Sequence, residues 1–375
     1  MKSVLISYYF PRSIRFEGAG TLLDSVACVL ESRGVPTTVF APLAGTGDVP
    51  YRLEDYLKGE KASYRRYLAG LEDLARRHDT VFLFEPSPAE RPFRKRFVSS
   101  KPRVVRYFRS PVQGFGDLFR NPFSIQYLKH WLSKNSLWAT PQAHPSEIYV
   151  VGTEYQKSQL LRLGFPDSKI RIIPLGLARV RCRRVSSQEA RQTYDLPGGP
   201  LVGYLGRFSP VKGVPVLIEA FDKLLEKVPE ARLALAWSGR GAEAKRVRRM
   251  LDEVPVRGRV SVLGIVEPVR FLSALDVCVL PFVHSSFPHP PLVLVEALAA
   301  GTPLVVSDIG GLKEFVTNRR TGLLVPPGDP SALAGGVREL LSDPELLRRI
   351  AWNQRYAFEN EFAVEAVVDR LLEVL

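Results

Sequence analysis

Short runs of β-branched and apolar residues alternate with segments of helical periodicity along this chain, and the alternation begins afresh near its middle. The first half has predicted strands at Ser3–Ser7, Thr37–Phe40, Thr80–Phe84, Arg103–Tyr107 and Ile148–Val151. The second half has them at Leu201–Leu205, Ala231–Ala236, Arg259–Val262, Val277–Leu280, Leu304–Val306 and Leu323–Val325. Strands that alternate with helices are typical of parallel sheets with crossover helices. The pattern therefore predicts an α/β fold of two doubly wound, Rossmann-like domains that face each other across a cleft.

The segment 175–200 separates the two halves. It contains the run RVRCRRVSS, a Gly-Gly-Pro and little apolar periodicity, which is typical of a domain boundary. A length of 375 residues also fits two domains. We expect a first domain over residues 1–175 and a second domain over residues 176–357. The chain after Pro330 is almost entirely helical in pattern, and we expect residues 358–375 to pack back on the first domain.

The composition excludes several classes of protein. A hydrophobic fraction of 45% with 24% charged residues argues against disorder. The three cysteines (Cys28, Cys182 and Cys278) are too scattered for a disulfide framework or a zinc cluster, which favours a reducing, cytoplasmic setting. No apolar run of about 18 residues is present, so no membrane span is expected.

The positive charge is concentrated in one segment. The formal net charge is +13, and residues 91–200 alone carry a net charge of +14. Within them, Phe119–Trp138 interleaves aromatic and basic side chains, notably Arg120, Lys129, Trp131 and Lys134. Such a mixture suits the headgroup region of an anionic membrane, although a surface helix that packs on its own sheet gives the same pattern. Nucleic acid is not expected as a partner, because no zinc-finger spacing or RNA-recognition signature accompanies the charge.

A glycine-bearing loop follows the first predicted strand. It extends from Tyr9 to Gly20, includes Gly18, and leads into a predicted helix at Thr21–Arg33. Glycine allows a ligand to approach the backbone, and the helix N-terminus offers free amides to an anion. The loop is not a complete dinucleotide fingerprint, since Leu23 stands where the last glycine would be, and a plain tight turn remains an alternative.

The first strand of the second half ends in the sequence GYLGRFSPVKG, before a predicted helix at Val214–Leu225. Arg207 and Lys212 flank this loop at the carboxyl edge of the sheet, where two cationic groups can converge on a diphosphate. The P-loop alternative fails because no Gly-Lys-Ser/Thr follows a Gly-x4 spacer. A pair of solvated surface charges is the other interpretation.

A third motif follows the strand Val277–Leu280 and reads PFVHSSFPHPPLVLVEALAAGTPLVVSDIGG. Prolines are tolerated in the first turn of a helix, so Pro290 and Pro291 predict a helix start. Glu296 then lies inside an otherwise apolar helix. A carboxylate in that place either faces the surface or binds hydroxyl groups.

The order of these motifs resembles the retaining GT-B glycosyltransferases of the family 4 type. The resemblance extends over the whole second domain, through GRFSPVKG, VLGIVEP, DVCVLPF and TGLLVPPGDPSAL, and is looser in the first domain. It implies transfer of a sugar from a nucleotide sugar, with UDP or GDP as the nucleotide, to an acceptor hydroxyl with retained configuration. It also implies no metal and no cofactor beyond the donor. With the charge of residues 91–200, it points to a membrane lipid or an anionic glycan as acceptor and to a peripheral position on the inner face of a membrane.

The resemblance assigns roles to individual residues. Arg207 and Lys212 would hold the donor diphosphate, and Glu296 would bind the ribose hydroxyls. The remaining donor-binding positions are the backbone amides of Leu292 and Val293, the glycine loop with Gly18 and Gly20, and the region of Ile265 beside the base.

The sequence departs from the family pattern at three places. In the segment Phe287–Pro291, three prolines replace the usual glycine-bearing turn and remove three backbone donors. Pro288 stands where the family motif has its first glutamate, which contacts the transferred sugar, so Ser285, Ser286 or His289 are candidates for that contact. Arg109 follows the fourth strand, where many relatives have a histidine. Arg109 is a permanent cation and is a candidate for binding an anionic group of donor or acceptor.

Two other functions stay open at this point. One is a degenerate GT-B protein that binds a nucleotide sugar or a partner without catalysis. The other is a nucleotide-dependent oxidoreductase, which the incomplete G-x-G-x-x-G disfavours. The sequence makes no prediction about oligomeric state.

Overall fold

The computed structural model divides the chain into two compact units. The first consists of Met1–Gly176 and Val364–Leu375, and the second of Leu177–Ser285 and Pro290–Ala363. The structure describes residues 2–7, 18–41, 49–54, 64–84, 102–108, 147–179, 182–208, 212–236, 249–251, 258–283 and 291–375, with the backbone alone at 18–21 and 64–66. Phe358–Phe362 therefore stays with the second unit, and only the segment from Val364 onward groups with the first.

The first unit contains a seven-stranded sheet in which every described pairing is parallel. Its strands are β1 (Val4–Ser7), β2 (Thr37–Phe40), β3 (Arg52–Glu54), β4 (Thr80–Phe84), β5 (Arg103–Phe108), β6 (Glu147–Val151) and β7 (Ile170–Ile172). Their order across the sheet is β3-β2-β1-β4-β5-β6-β7. Its described helices are α1 (Gly18–Ser32), α2 (Tyr64–Ala75), α3 (Glu154–Arg162) and the 3-10 turn Asp167–Lys169.

Burial on both faces explains why most of these strands follow the apolar runs. β1, β2 and β4 are buried along their whole length, as continuous parallel strands require. Helix α2 packs on them through an aromatic stack, because the rings of Phe40 and Tyr67 lie 5.5 Å apart. The prediction missed β3 and β7, which are three-residue edge strands with partly exposed side chains.

One arginine of the basic segment 91–200 is internal. Arg106 on β5 is buried, and its Nε lies 3.5 Å from Oε1 of Glu147 on β6. Its guanidinium also lies 5.0 Å from the centre of the Phe108 ring, and the Tyr149 hydroxyl donates to Glu147 Oε2 at 2.9 Å. Arg106 and Glu147 both belong to this segment, so their pairing inside the sheet leaves its net charge of +14 unchanged.

The end of the chain completes the first unit. Helix α10 (Val364–Leu372) packs against α1, and an ion pair of 3.0 Å joins Asp369 to Arg33. Beyond it, the Thr80 hydroxyl at the start of β4 donates to the carbonyl of Leu375 at 3.0 Å.

The second unit contains a six-stranded parallel sheet, and its strands lie within one residue of the predicted positions at both ends. They are β8 (Leu201–Leu205), β9 (Arg232–Ala236), β10 (Val260–Leu263), β11 (Val277–Leu280), β12 (Leu304–Ser307) and β13 (Leu323–Val325), in the order β10-β9-β8-β11-β12-β13. Its helices are α4 (Ser187–Thr193), α5 (Val214–Leu225), α6 (Pro268–Ser273), α7 (Leu292–Ala300), α8 (Pro330–Ser342) and α9 (Pro344–Ala357). The 3-10 helix Gly310–Glu314 and the π-helix Phe358–Phe362 complete the described elements.

Side-chain caps set several of the helix starts. The carboxylate of Asp329 accepts from the amides of Ser331 and Ala332 at 2.9 Å each, and Asp343 caps α9 in the same way. Proline follows each of these aspartates, at the position where its missing N–H costs nothing. The strand order of this sheet reverses between β8 and β11. In an open parallel sheet, ligands bind at the carboxyl ends of the strands beside such a reversal.

No helix in the part of the chain that the structure describes is both long and apolar enough to cross a membrane.

Candidate functional site

The chain segments that leave β8 and β11 are in direct contact at the point where the strand order reverses. Gly213 precedes α5 with a φ of +71°, and a Cβ placed on it would lie 1.7 Å from the carbonyl oxygen of Pro281. Only glycine fits both the left-handed backbone and this distance. The close approach places the residues before α5 beside those that follow β11.

Two cationic side chains meet in this corner. Arg207 follows β8 and is exposed, and the Tyr204 hydroxyl donates to its carbonyl at 2.9 Å. Lys212 is half-buried, and its Nζ lies 4.5 Å from the centre of the Phe282 ring. Burial, together with the charge of Arg207, lowers the pKa of Lys212 to about 8. The corner is therefore electropositive, and a bound anion would relieve the repulsion between the two cations.

The N-terminus of α7 begins on the same edge of the sheet, beyond β11. Pro291 occupies the capping position, and no side chain accepts from the amides of the first turn. The described backbone bond there runs from the amide of Leu294 to the carbonyl of Pro291 at 2.9 Å. The amides of Leu292 and Val293 thus have no hydrogen-bond acceptor within the described residues, and they carry the positive end of the helix dipole.

Glu296 lies further along α7, among buried apolar residues. Its side chain is half-buried, and no described hydrogen bond or ion pair compensates its charge. Burial, with a smaller contribution from the carboxyl of Glu267, raises the pKa of Glu296 to about 8. In the same region, burial and the charge of Glu296 raise the pKa of Cys278 to about 12. The charged form of such a carboxyl group is stabilised when hydroxyl groups of a ligand donate hydrogen bonds to it.

The loop between β10 and α6 adds an apolar surface near Glu267. Ile265 is 89% exposed, the highest value among the large hydrophobic side chains that the structure describes as exposed. Glu267 directly behind it is held firmly, since its carboxylate accepts from the amides of Val269 and Arg270 at 3.1 and 2.6 Å. An apolar side chain presented to solvent by a rigid loop is suited to lie against the flat face of a base.

The predicted site residues of the first unit lie only partly within the described chain. Gly18 and Gly20 occupy the first turn of α1, so the helix begins three residues earlier than Thr21, where the sequence predicted it. Several other predicted residues lie outside the described part of the chain. They are Arg109, the predicted membrane-contacting residues Arg120, Lys129, Trp131 and Lys134, and the candidates Ser285, Ser286, Pro288 and His289.

Two side chains of the site were not singled out from the sequence. The ring of Phe282 contacts the ammonium group of Lys212. In the sequence, Phe282 could have been found as the aromatic residue that ends the DVCVLPF motif. The charge of Glu267 contributes to the raised pKa of Glu296. In the sequence, Glu267 could have been found as the acidic residue directly before the Pro-Val-Arg at the start of a helix. Within the described ranges, no three histidine, cysteine or acidic side chains lie together as a metal site would require.

Comparison with known proteins finds similarity in the second half of the chain. Residues 186–356 match the family model of the glycosyl transferases group 1. The D-inositol 3-phosphate glycosyltransferase of Nocardia farcinica is 32% identical over 211 residues, which are 54% of this chain and 46% of that protein. The α-D-kanosaminyltransferase of Streptomyces kanamyceticus is 28% identical over 183 residues, or 49% of this chain and 47% of that protein. The matched region therefore spans about half the length of these relatives.

Solved structures resemble the chain over its full length. Sucrose-phosphate synthase of Thermosynechococcus elongatus superposes with a TM-score of 0.77 at 20% identity, covering 100% of this chain and 98% of that one. HepE of Anabaena, solved in complex with UDP, superposes with a TM-score of 0.74 at 18% identity and covers 99% and 98% of the two chains. At such identities the likeness concerns the fold. The predicted α/β class with two Rossmann-like domains, matching GT-B structures, is confirmed.

Proposed function

We propose that the protein transfers a sugar from a nucleotide-sugar donor to an acceptor hydroxyl group, starting from the match of residues 186–356 to the glycosyl transferases group 1 model. The observation that carries the proposal is the electropositive corner at the reversal of the second sheet, where Arg207 and Lys212 converge beside Phe282. The proposed donor is a UDP- or GDP-sugar, and HepE, which shares the fold, was solved with UDP.

The two cations account for the first chemical requirement, which is binding of the diphosphate. Arg207 offers a planar, bidentate donor, and Lys212 a compact charge whose pKa near 8 leaves it mostly protonated at neutral pH. Charge-assisted hydrogen bonds of this kind are the strong ones in proteins. We assign the diphosphate to Arg207 and Lys212.

The bond to the sugar breaks when negative charge accumulates on the leaving nucleoside diphosphate. Groups fixed where this charge develops stabilise the transition state without reorganisation. In our proposal Arg207, Lys212 and the amides of Leu292 and Val293 provide this stabilisation, with no metal ion and no cofactor besides the donor. The acceptor hydroxyl attacks the sugar on the face from which the diphosphate leaves and gives its proton to the departing phosphate oxygen. The anomeric configuration is therefore retained, and no protein nucleophile is needed.

Glu296 provides selectivity for the ribose of the donor. A carboxylate accepts hydrogen bonds from two vicinal hydroxyl groups, and these bonds favour its charged form. Because burial alone favours the protonated form of Glu296, donor binding is proposed to be coupled to release of a proton. In this proposal Ile265 lies against the base.

The acceptor is proposed to be anionic, either a membrane lipid or a charged glycan. Residues 91–200 carry the whole surplus of positive charge, and Arg109, a permanent cation that follows β5 in the sequence, is one of them. A group-1 relative, the D-inositol 3-phosphate glycosyltransferase of Nocardia farcinica, is named for an acceptor with a phosphate group. We further propose that Arg120, Lys129, Trp131 and Lys134 bring the protein to the inner face of a membrane as a peripheral protein.

The deciding experiment offers purified protein a panel of UDP- and GDP-sugars with lipid extracts and measures release of nucleoside diphosphate. Release with one donor, and a product that NMR shows to keep the anomeric configuration, is the expected result. Arg207→Ala and Lys212→Ala should each lower kcat/KM at least tenfold, because each removes a charge-assisted contact. Lys223→Ala is the matched control, since this exposed lysine of α5 lies away from the corner.

The membrane part of the proposal has its own test. Binding to vesicles that contain an anionic lipid should weaken when Lys129 and Lys134 are replaced by glutamine, and unchanged binding would remove this surface from the proposal.

A second candidate function is binding of a nucleotide sugar without catalysis. The specific observation in its favour is Pro288, which replaces the glutamate that resembling enzymes use to contact the transferred sugar. Calorimetry separates the two candidates. A protein that binds UDP or GDP through Arg207 and Lys212, yet releases no diphosphate from any donor, is a binding protein.

A further inference from the structure

Helix α9 has one buried face and one face that no described element covers. Leu346, Ile350 and Gln354 point into the second unit, and the Gln354 amide donates to the carbonyl of Thr321 at 2.7 Å. On the opposite face, Trp352 is 67% exposed and Tyr356 is 56% exposed. Their rings stack with centroids 5.7 Å apart at an interplanar angle of 18°. Two large aromatic side chains thus form one exposed platform.

Arginines surround this platform. Arg348 and Arg349 lie one turn before Trp352 on the exposed face of the helix. Arg320 is held near by, because the side chain of Asn353 donates to its carbonyl at 2.9 Å. Within the described chain none of these three arginines forms an ion pair, whereas Arg355 on the same helix is paired with Glu359 at 3.8 Å. We call the set Arg320, Arg348, Arg349, Trp352 and Tyr356 the aromatic–arginine patch.

The patch is rigid as well as exposed. Asn353 and Gln354 fasten α9 to the turn 317–322, and a Cβ on Gly301 at the end of α7 would lie 3.2 Å from the Ala351 carbonyl, so α7 and α9 are in close contact. The side chains therefore project from a fixed base. Glu345 is the acidic residue on the exposed face of α9, one turn before Arg348, and the patch keeps a net positive charge with it.

We propose that the aromatic–arginine patch binds the surface of an anionic lipid bilayer, separately from the basic segment 91–200 and independently of the transferase reaction. Tryptophan and tyrosine are suited to the headgroup level, since each has an apolar ring and a polar tip. Arginines at the same height are attracted by the negative surface potential of acidic lipids. A second copy of this chain is the less favoured occupant, because it would bring two sets of unpaired arginines together.

The test measures flotation of the full-length protein with vesicles of phosphatidylglycerol and phosphatidylcholine. The double variant Arg348→Gln/Arg349→Gln should weaken binding roughly 25-fold, about fivefold for each charge removed. The variant Trp352→Ala/Tyr356→Ala should weaken it as well, also at high salt, where electrostatic attraction is screened. The matched control Lys223→Gln/Lys227→Gln removes two exposed charges of the same unit outside the patch and should leave binding unchanged.

A local readout separates the patch from residues 91–200. Lipids brominated near the headgroup should quench tryptophan fluorescence of the wild type more than that of Trp352→Phe. Unchanged quenching in Trp352→Phe, or unchanged flotation of both patch variants, would overturn the proposal. Binding of a soluble polyanionic glycan without binding to vesicles would also overturn it. If the patch variants changed only the molecular mass measured by light scattering, the patch would be a contact between two copies of the chain, and the proposal would be wrong. None of these outcomes depends on donor turnover, so the proposed function stands or falls separately.

Discussion

Glu296→Gln tests the electrostatics of the candidate site through stability. In the folded protein the pKa of Glu296 is raised from 4.5 to about 8. Below pH 4.5 the carboxyl is protonated in both folded and unfolded protein, so the wild type bears no penalty. As the pH rises towards 8, the unfolded chain releases the proton and the folded protein keeps it. The wild type therefore loses stability over this window, and the loss is complete above pH 8.

The size of the effect follows from the shift. Each pH unit between the two pKa values costs about 1.4 kcal/mol, which would give roughly 5 kcal/mol in total for a fully buried group. The Glu296 side chain is half-buried, so hydration reduces this, and we expect 1–3 kcal/mol, as an order of magnitude. The amide of glutamine is neutral at every pH. Glu296→Gln should therefore stabilise the protein at pH 8 by about that amount and have little effect at pH 4.5.

Urea denaturation of both proteins at several pH values between 4.5 and 8.5 measures this difference. Glu219→Gln on the exposed face of α5 is the control and should show no such trend. Affinity for the nucleoside diphosphate should change in the opposite sense, with a loss of about tenfold or more, because glutamine offers the ribose no charged acceptor. A stability difference that does not grow with pH would show that the carboxyl is not held in its protonated form.

Five other variants test the remaining features. The affinity of the wild type for the diphosphate should fall above about pH 8, where Lys212 loses its proton, and Lys212→Arg should abolish this fall. Titration calorimetry across pH 6–10 measures both affinities. A wild-type affinity that does not change with pH would contradict the lowered pKa of Lys212. Gly213→Ala should destabilise the protein by more than about 3 kcal/mol and remove diphosphate binding, since the new methyl group meets the Pro281 carbonyl. Gly335→Ala in α8 should raise the free energy of unfolding by about 0.5–1 kcal/mol, because its Cβ enters open space. Gly336→Ala should raise it by less or not at all, because its Cβ would lie 3.1 Å from Val305. Equal increases in urea denaturation would refute this contrast. Arg106→Met should cost about 3–5 kcal/mol, since it leaves Glu147 charged and buried; a neutral effect would show that the pair is dispensable.

The second unit was predictable from sequence because each of its strands is short, apolar and bounded by turn residues. β8, β11 and β13 begin and end at the predicted residues, and α5 does so as well. Arg207 and Lys212 were also predicted in this way to lie close together, since both follow the end of one strand in a single loop. Local signals of this kind survive without knowledge of the tertiary structure.

Features that depend on contacts between distant segments could not be predicted from the sequence. Arg106 and Glu147 are 41 positions apart, and their contact follows from the register of β5 against β6. The influence of Glu267 on Glu296 likewise needs two loops from different strands to meet at one edge. Strands β3 and β7 were missed for another reason, since the edge of a sheet tolerates polar residues and leaves no apolar run to read.

The contact between α10 and α1 has a consequence for synthesis of the protein on the ribosome. The first unit is completed by Val364–Leu375, whereas roughly 190 residues of the second unit are translated between its two parts. At typical rates of 5–20 residues per second, the first sheet waits on the order of 10–40 s for its last helix. During that time the face of α1 against which α10 later packs is open, while the whole of the second unit is synthesised. The second unit is thus able to complete its fold before the first unit, although the chain begins with the first.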